Sequence, residues 1–116
     1  MDFRQCSDDD LWAIATPIMD NLMSASTELD HARHCRDFTQ RMRSIVTQAH
    51  FASVCQAYQS EKGLFTARQP VALFRRPESV AFVWKQMFSI AEGEFVAEMV
   101  LVEQDGQYLV DHVMVF

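Results

Sequence analysis

At Leu64 the spacing of apolar residues changes from helical to alternating, and this switch restricts the chain to a small set of folds. Before it, apolar residues recur every three or four positions. After it, they alternate, in four runs separated by turn signals. Helices followed by a block of strands, instead of strands interleaved with helices, predicts an α+β protein with an antiparallel sheet. The sheet needs a layer of helices on one face. With 116 residues, the chain is long enough for one domain, residues 1–116, with its own core.

Three helices are expected. The first is "SDDDLWAIATPIMDNLMSAS", with Ser7 as N-cap and three aspartates at its positive end. Leu11, Ile14, Ala15, Ile18 and Leu22 form its stripe, which Trp12, Met19 and Met23 widen. Pro17 lies inside and predicts a kink or a break near residue 16. Thr27 is expected to cap a second helix over "ELDHARHCRDF", with Asp30 as its partner in the cap. After Thr47 a third helix carries Phe51, Val54, Cys55 and Tyr58 on one face and ends at Gly63. The segment "TQRMRSIV" between them reads equally as a helical turn or a loop.

The strand runs are "LFTARQPVALFR", "VAFVWKQMFSIA", "EFVAEMVLVEQ" and "QYLVDHVMVF". They are divided by Pro77-Glu78, Glu92-Gly93 and Asp105-Gly106. Asp-Gly is a strong hairpin signal and Glu-Gly a weaker one. Two-residue turns would place Leu101 opposite Val110, Met99 opposite His112, Trp84 opposite Leu101, Gln86 opposite Met99 and Gln69 opposite Gln86. The core face then holds Val71, Leu73, Phe82, Trp84, Phe88, Ile90, Phe95, Ala97, Met99, Leu101, Tyr108, Val110, Met114 and Phe116, with a polar row of Gln69, Gln86 and His112. Asp111 and His112 are neighbours in a strand, so they should point to opposite faces and form no catalytic dyad.

The other face carries Ala72, Phe74, Ala81, Val83, Met87, Val96, Val100, Val102, Leu109, Val113 and Val115, interrupted by Lys85, Glu98 and Asp111. That is too apolar for a face left in water, and no helix remains to cover it. A homodimer through Val83, Met87, Val100, Val102, Leu109, Val113 and Val115 is the economical expectation.

A net charge of −6 argues against nucleic acid as a partner. No apolar run is long enough to span a bilayer, so no membrane partner is expected. The opening residues lack the basic and apolar regions of a secretory signal, and the expected location is cytoplasmic. Cys6, Cys35 and Cys55 match no paired motif and read as free thiols. Charge is unevenly distributed. Residues 31–76 carry eight basic and two acidic side chains, whereas each flank carries seven acidic and one basic. A solvated surface explains this most simply, with internal complementarity as a contribution. In "HARHC", His31, His34 and Cys35 fall within one helical turn, but a zinc site needs more ligands in defined spacing. They read as exposed helix residues, and no metal or cofactor is expected.

The stretches "DFTQRMRSIVTQAHFASVCQAY", "VAFVWKQMF" and "VLVEQDGQYLVDHVMVF" together resemble the nuclear-transport-factor-2-like superfamily, which has the cystatin-like fold. More narrowly, the chain resembles small bacterial members of unknown function. The likeness covers nearly the whole chain and consists of structural motifs with no catalytic signature. The resemblance implies three helices packed on a curved four-stranded meander in a cone, a pocket between sheet and helices, and usually a dimer. The superfamily includes isomerases, dehydratases and other enzymes beside non-enzymatic binding domains, so the fold does not select the function.

The expected pocket residues are Trp84, Gln86, Met99, Tyr108, His112, Gln69, Tyr58 and Met19. Three functional readings stand at this point. The first is a non-enzymatic homodimeric domain whose pocket holds a small hydrophobic molecule. The second is a small lyase or isomerase with His112 as general base. The third is an accessory domain that binds another polypeptide through the outer sheet face.

Overall fold

The computed structural model describes residues 1–116. A 3-10 turn, Phe3–Gln5, precedes four helices: α1 (Asp8–Thr27), α2 (His31–His34), α3 (Gln40–Ile45) and α4 (Gln48–Lys62). Four strands follow: β1 (Phe65–Arg75), β2 (Ser79–Phe88), β3 (Phe95–Gln104) and β4 (Gln107–Val115). They form one antiparallel meander in the order β1-β2-β3-β4. No helix is long and apolar enough to cross a membrane.

The helix starts follow their caps. The side chains of Ser7, Asp30, Thr39 and Thr47 each accept a backbone N–H from the first turn of their helix. The second helix is much shorter than expected. Thr27 does not cap it; its hydroxyl donates to the Met23 carbonyl inside α1 at 2.9 Å. Leu29, at a φ of 58°, reverses the chain, and the Leu29 and Asp30 amides close α1 by donating to Ser26 and Ala25. That closure leaves Asp30 as the first possible cap. Residues 40–45, open between a helical turn and a loop on sequence grounds, are helical. Pro17 does not break α1. It lies on the solvent side, as does Ala13, whose carbonyl is the one denied a donor, so water can satisfy that oxygen.

Leu11, Ala15, Met19 and Leu22 of α1 are buried against Val80, Phe82 and Trp84 of β2 and Ala97, Met99 and Leu101 of β3. The Trp12 ring stands edge-on to Phe82 and Trp84, with centroids 5.2 and 5.4 Å apart. Each such large side chain contributes roughly 1.5–3 kcal/mol on burial. Charge complementarity also joins the layers: Arg68 and Arg75 of β1 pair with Asp20 and Asp8 of α1. Arg33 pairs with Glu28, and Arg41 with Asp111. The basic middle of the chain is therefore matched to its acidic flanks inside the fold.

The register departs from two-residue turns in three places. Between β2 and β3, residues 89–94 leave the ladder, and Trp84 pairs with Ala97, not Leu101, while Gln86 pairs with Phe95, not Met99. The cause is the end of α4. The Ser89 amide donates to the Leu64 carbonyl, and the Ile90 and Ala91 amides donate to that of Lys62. The displacement is even, so each side chain keeps its face. In β1, a bulge at Val71 sets Gln69 against Lys85 and Arg68 against Gln86. Val71 is consequently exposed, and so is Ile90 in the 89–94 loop.

The third departure matters most. Leu101 pairs with Val110 as expected, but Val100 pairs with His112, so Asp111 is an extra residue and Met99 faces Val113. An odd insertion reverses the strand's faces beyond it. Val113 and Val115 therefore pack against the core, and Met114 and Phe116 are exposed, the opposite of expectation. Asp111 accepts from the Thr39 hydroxyl at 2.9 Å and from Arg41 Nε at 3.1 Å. Phe38 forms a parallel bridge with Val110, so the chain before α3 covers the free edge of β4.

Candidate functional site

A cavity of about 420 Å³ lies between α4 and the end of the sheet where β2 stops, β3 starts and β4 finishes. Thirteen of its seventeen lining residues are hydrophobic. On α4 the helical spacing directs Phe51, Val54, Cys55, Tyr58 and Lys62 into it, the last being the basic residue of the final turn. Met23 and Ser26 of α1, His34 of α2, and Val113 and Val115 of β4 complete the deeper walls. Without the Asp111 bulge, those two valines would face away.

One wall is a run of aromatic rings. Tyr58 stacks on Phe65 with centroids 4.8 Å apart, Phe65 lies 5.1 Å from Phe88, and Phe88 lies 5.0 Å from Phe95. Lys62 Nζ sits 5.8 Å from the Phe95 ring centroid. Inside, Ser26 Oγ shares hydrogen bonds with Tyr58 Oη at 2.7 Å and Cys55 Sγ at 3.3 Å. From behind the lining, Gln59 Nε2 donates to both the Tyr58 hydroxyl and the Ser26 carbonyl. Burial pushes the Cys55 thiol up, so this cysteine is kept as an inert thiol.

His34 occupies the other wall. Its ring lies 4.7 Å from that of Phe51 and 5.2 Å from that of Phe38, and its Nδ1 is buried with no hydrogen-bond partner. Burial, with a contribution from nearby His31, lowers its pKa to about 4, so it is neutral at pH 7. His31 Nε2 lies 2.8 Å from the Val46 carbonyl and 3.3 Å from Cys35 Sγ. This small cluster ties α2 to the loop before α4. Contrary to the sequence expectation of exposed helix residues, His34 and Cys35 are buried.

Of the eight expected pocket residues, only Tyr58 lines this cavity. Trp84, Met99 and Met19 are consumed by the core. Gln86 is fully buried, and its Nε2 faces the carbonyls of Thr66, Ala67 and Met87 at 3.3, 3.3 and 2.9 Å. Thr66 and Ala67 are the residues that β1 leaves out of its pairing between Phe65 and Arg68, so Gln86 serves carbonyls lost to the ladder. Gln69 is exposed. Tyr108 packs beside Phe3, with its hydroxyl 3.6 Å from Met1 Sδ. His112 is on the outer face, bonded to Glu98, so the expected polar row does not exist. Asp111 and His112 have separate partners and form no dyad.

Sequence reasoning missed Ser26, His34 and Cys55 as lining groups. The helical stripe through Phe51, Val54, Cys55 and Tyr58 pointed toward the cavity, but its burial looked like ordinary core packing. Only Phe51 and Cys55 of α4 are in fact buried, so this helix covers the sheet end incompletely.

No family model and no curated protein sequence matches the chain. Solved structures do. An NTF2-like protein of unknown function from Methylobacillus flagellatus matches with a TM-score of 0.59 at 10% identity, over 99% of this chain and 97% of that one. A second, from Shewanella baltica, matches at 0.59 and 6% identity, over 97% of each. A candidate calcium/calmodulin-dependent protein kinase type II association domain from Thiobacillus denitrificans matches at 0.63 and 10% identity, over 86% of this chain and 91% of that one. These matches over nearly the whole chain, with helices leading into a four-stranded antiparallel meander, show that this chain has the nuclear-transport-factor-2-like fold.

Proposed function

We propose that the protein is a non-enzymatic, homodimeric binding domain that holds a small apolar molecule between α4 and the sheet. The carrying observation is the cavity of about 420 Å³ with its aromatic wall. That volume falls within the ~300–1,000 Å³ range of small-molecule sites. The hydroxyls and thiol in the cavity wall, on Ser26, Tyr58 and Cys55, bond one another, and the Gln59 amide braces them from outside the lining. Such an arrangement suits holding a ligand better than transferring protons. His112, the base of the lyase or isomerase reading, points away from this space.

A second copy is the proposed occupant of the outer sheet face. Val83, Met87, Val96, Val100, Val102 and Leu109 are all only partly buried there. The charged groups among them are already paired within the chain, Lys85 with Glu94 and His112 with Glu98. A face with its charges paired can be removed from water at lower cost than one with free charges. The similar fold of a candidate association domain is in keeping with this reading. Native mass spectrometry on protein purified without denaturation reads subunit number and ligand together. A dimer with a reproducible small-molecule adduct is expected. A monomer would refute the sheet-face pairing, and failure of every apolar probe to bind would refute the ligand reading.

A further inference from the structure

We infer that the ligand is an amphipathic monoanion, with its apolar body against Phe51, Phe65 and Phe88 and its negative charge at Lys62. The inference rests on the cavity being a ligand site and adds the chemical class that it takes.

The sign of the lining is the first observation. The chain has sixteen acidic residues and a net charge of −6, yet no acidic residue lines the cavity. Its non-hydrophobic lining consists of Ser26, His34, His50 and Lys62. A cationic ligand would find no counter-charge, whereas an anionic one finds an ammonium.

The second observation is that this ammonium is free. Every other lysine or arginine bonds a carboxylate, a carbonyl or a hydroxyl in the fold. Lys62 Nζ has only the face of Phe95, at 5.8 Å. A lysine at a helix C-terminus often serves the exposed carbonyls there. Here the Lys62 carbonyl already accepts from the Ile90 and Ala91 amides, and that of Gln59 from Gly63. The helix end is capped by backbone, leaving the side chain for another partner.

The deep wall fixes the ligand's orientation. Next to His34 and Ser26 a charge would be taken from water without an opposite charge to meet it, while the aromatic wall and Lys62 together offer an apolar slot ending in a cation. A single carboxylate-type group at that end forms a charge-assisted hydrogen bond.

Isothermal titration of the full chain with octanoate, octanol and octylamine separates the possibilities. Octanoate should bind about tenfold or more tightly than octanol, with octylamine weakest. Lys62→Gln should bring octanoate down to the affinity of octanol and leave octanol within about twofold of its original value, while Lys62→Arg should retain the preference. Equal binding of octanoate and octanol by the unaltered protein, or a preference that survives Lys62→Gln, overturns the charge inference and leaves the cavity reading intact. Binding of none of the three overturns both.

Discussion

His112 and Glu98 lie side by side on the outer face of the sheet, with Nε2 2.8 Å from Oε1. Their strands bring them together only because Asp111 is an extra residue in β4; a regular ladder would set His112 opposite Met99 on the core face. The pair is substantially exposed on both sides, at 40% and 34% of side-chain area. His112→Ala should therefore cost less than about 1 kcal/mol. It should also leave octanoate affinity unchanged. Urea denaturation and titration check the two parts, and a large loss of binding would put His112 back in the site.

Asp111 is worth more. It accepts from the Thr39 hydroxyl, whose side chain also caps α3, and from Arg41. Asp111→Ala leaves the buried Thr39 side chain without its acceptor and should destabilise the fold by about 1–3 kcal/mol. In a double-mutant cycle with Thr39→Val, the two losses should be markedly less than additive. Additive losses would mean that the bulge is held by the strands alone.

His34 makes stability depend on pH in a defined window. Its pKa is about 4 in the fold against 6.5 for the free side chain, so protonation favours the unfolded chain. Its contribution is complete above pH 6.5 and is lost as pH falls from there toward about 4, at roughly 1.4 kcal/mol per pH unit. His34→Leu should flatten the stability profile over that interval, as measured by denaturant midpoints at successive pH values. An unchanged profile would show that the ring is hydrated and titrates normally.

Gly63 joins α4 to β1 with φ 88° and ψ −153°, a conformation that side chains resist. A Cβ there would lie 2.3 Å from Ser89 Oγ, the atom that accepts the Leu64 amide at 2.8 Å. Gly63→Ala should cost at least about 2 kcal/mol by combining strain with a broken contact. It should also loosen the cavity, because this junction anchors the 89–94 loop. Thermal denaturation reads the first effect and octanoate titration the second.

Val100→Lys tests the second copy on the outer face. Val100 lies near the middle of that face, between Ala81 of β2 and His112 of β4. The substitution should convert a dimer to a monomer in sedimentation velocity while the circular dichroism spectrum stays the same. A wild-type chain that already sediments as a monomer would reject the interface.

Much of this fold can be read locally because local chemistry causes it. Ser7 and Thr47 begin helices where their side chains meet the first-turn amides, and Asp105-Gly106 turns with φ of 53° and 79°. The alternation that buries Phe82, Trp84, Met99 and Leu101 follows from the pleat. The Thr27 cap failed because α1 closes on Leu29, a choice made by the backbone bonds of a helix already formed.

The faces of β4 beyond Val110 could not be read this way. Whether Asp111 stays in the ladder depends on Thr39 and Arg41, some seventy residues earlier, which reward its leaving. Residues 89–94 leave their hairpin for the end of α4 in the same manner. By itself, the sequence determined the long helices α1 and α4, the four strands, their order and the inner face of β2 and β3, because these depend on spacing and on neighbours in the chain. Tertiary structure decided the bulge, the cavity walls and the removal of His112 from them. Each of those depends on a hydrogen bond between distant segments, and one inserted residue reverses a strand's faces without changing its apolar pattern.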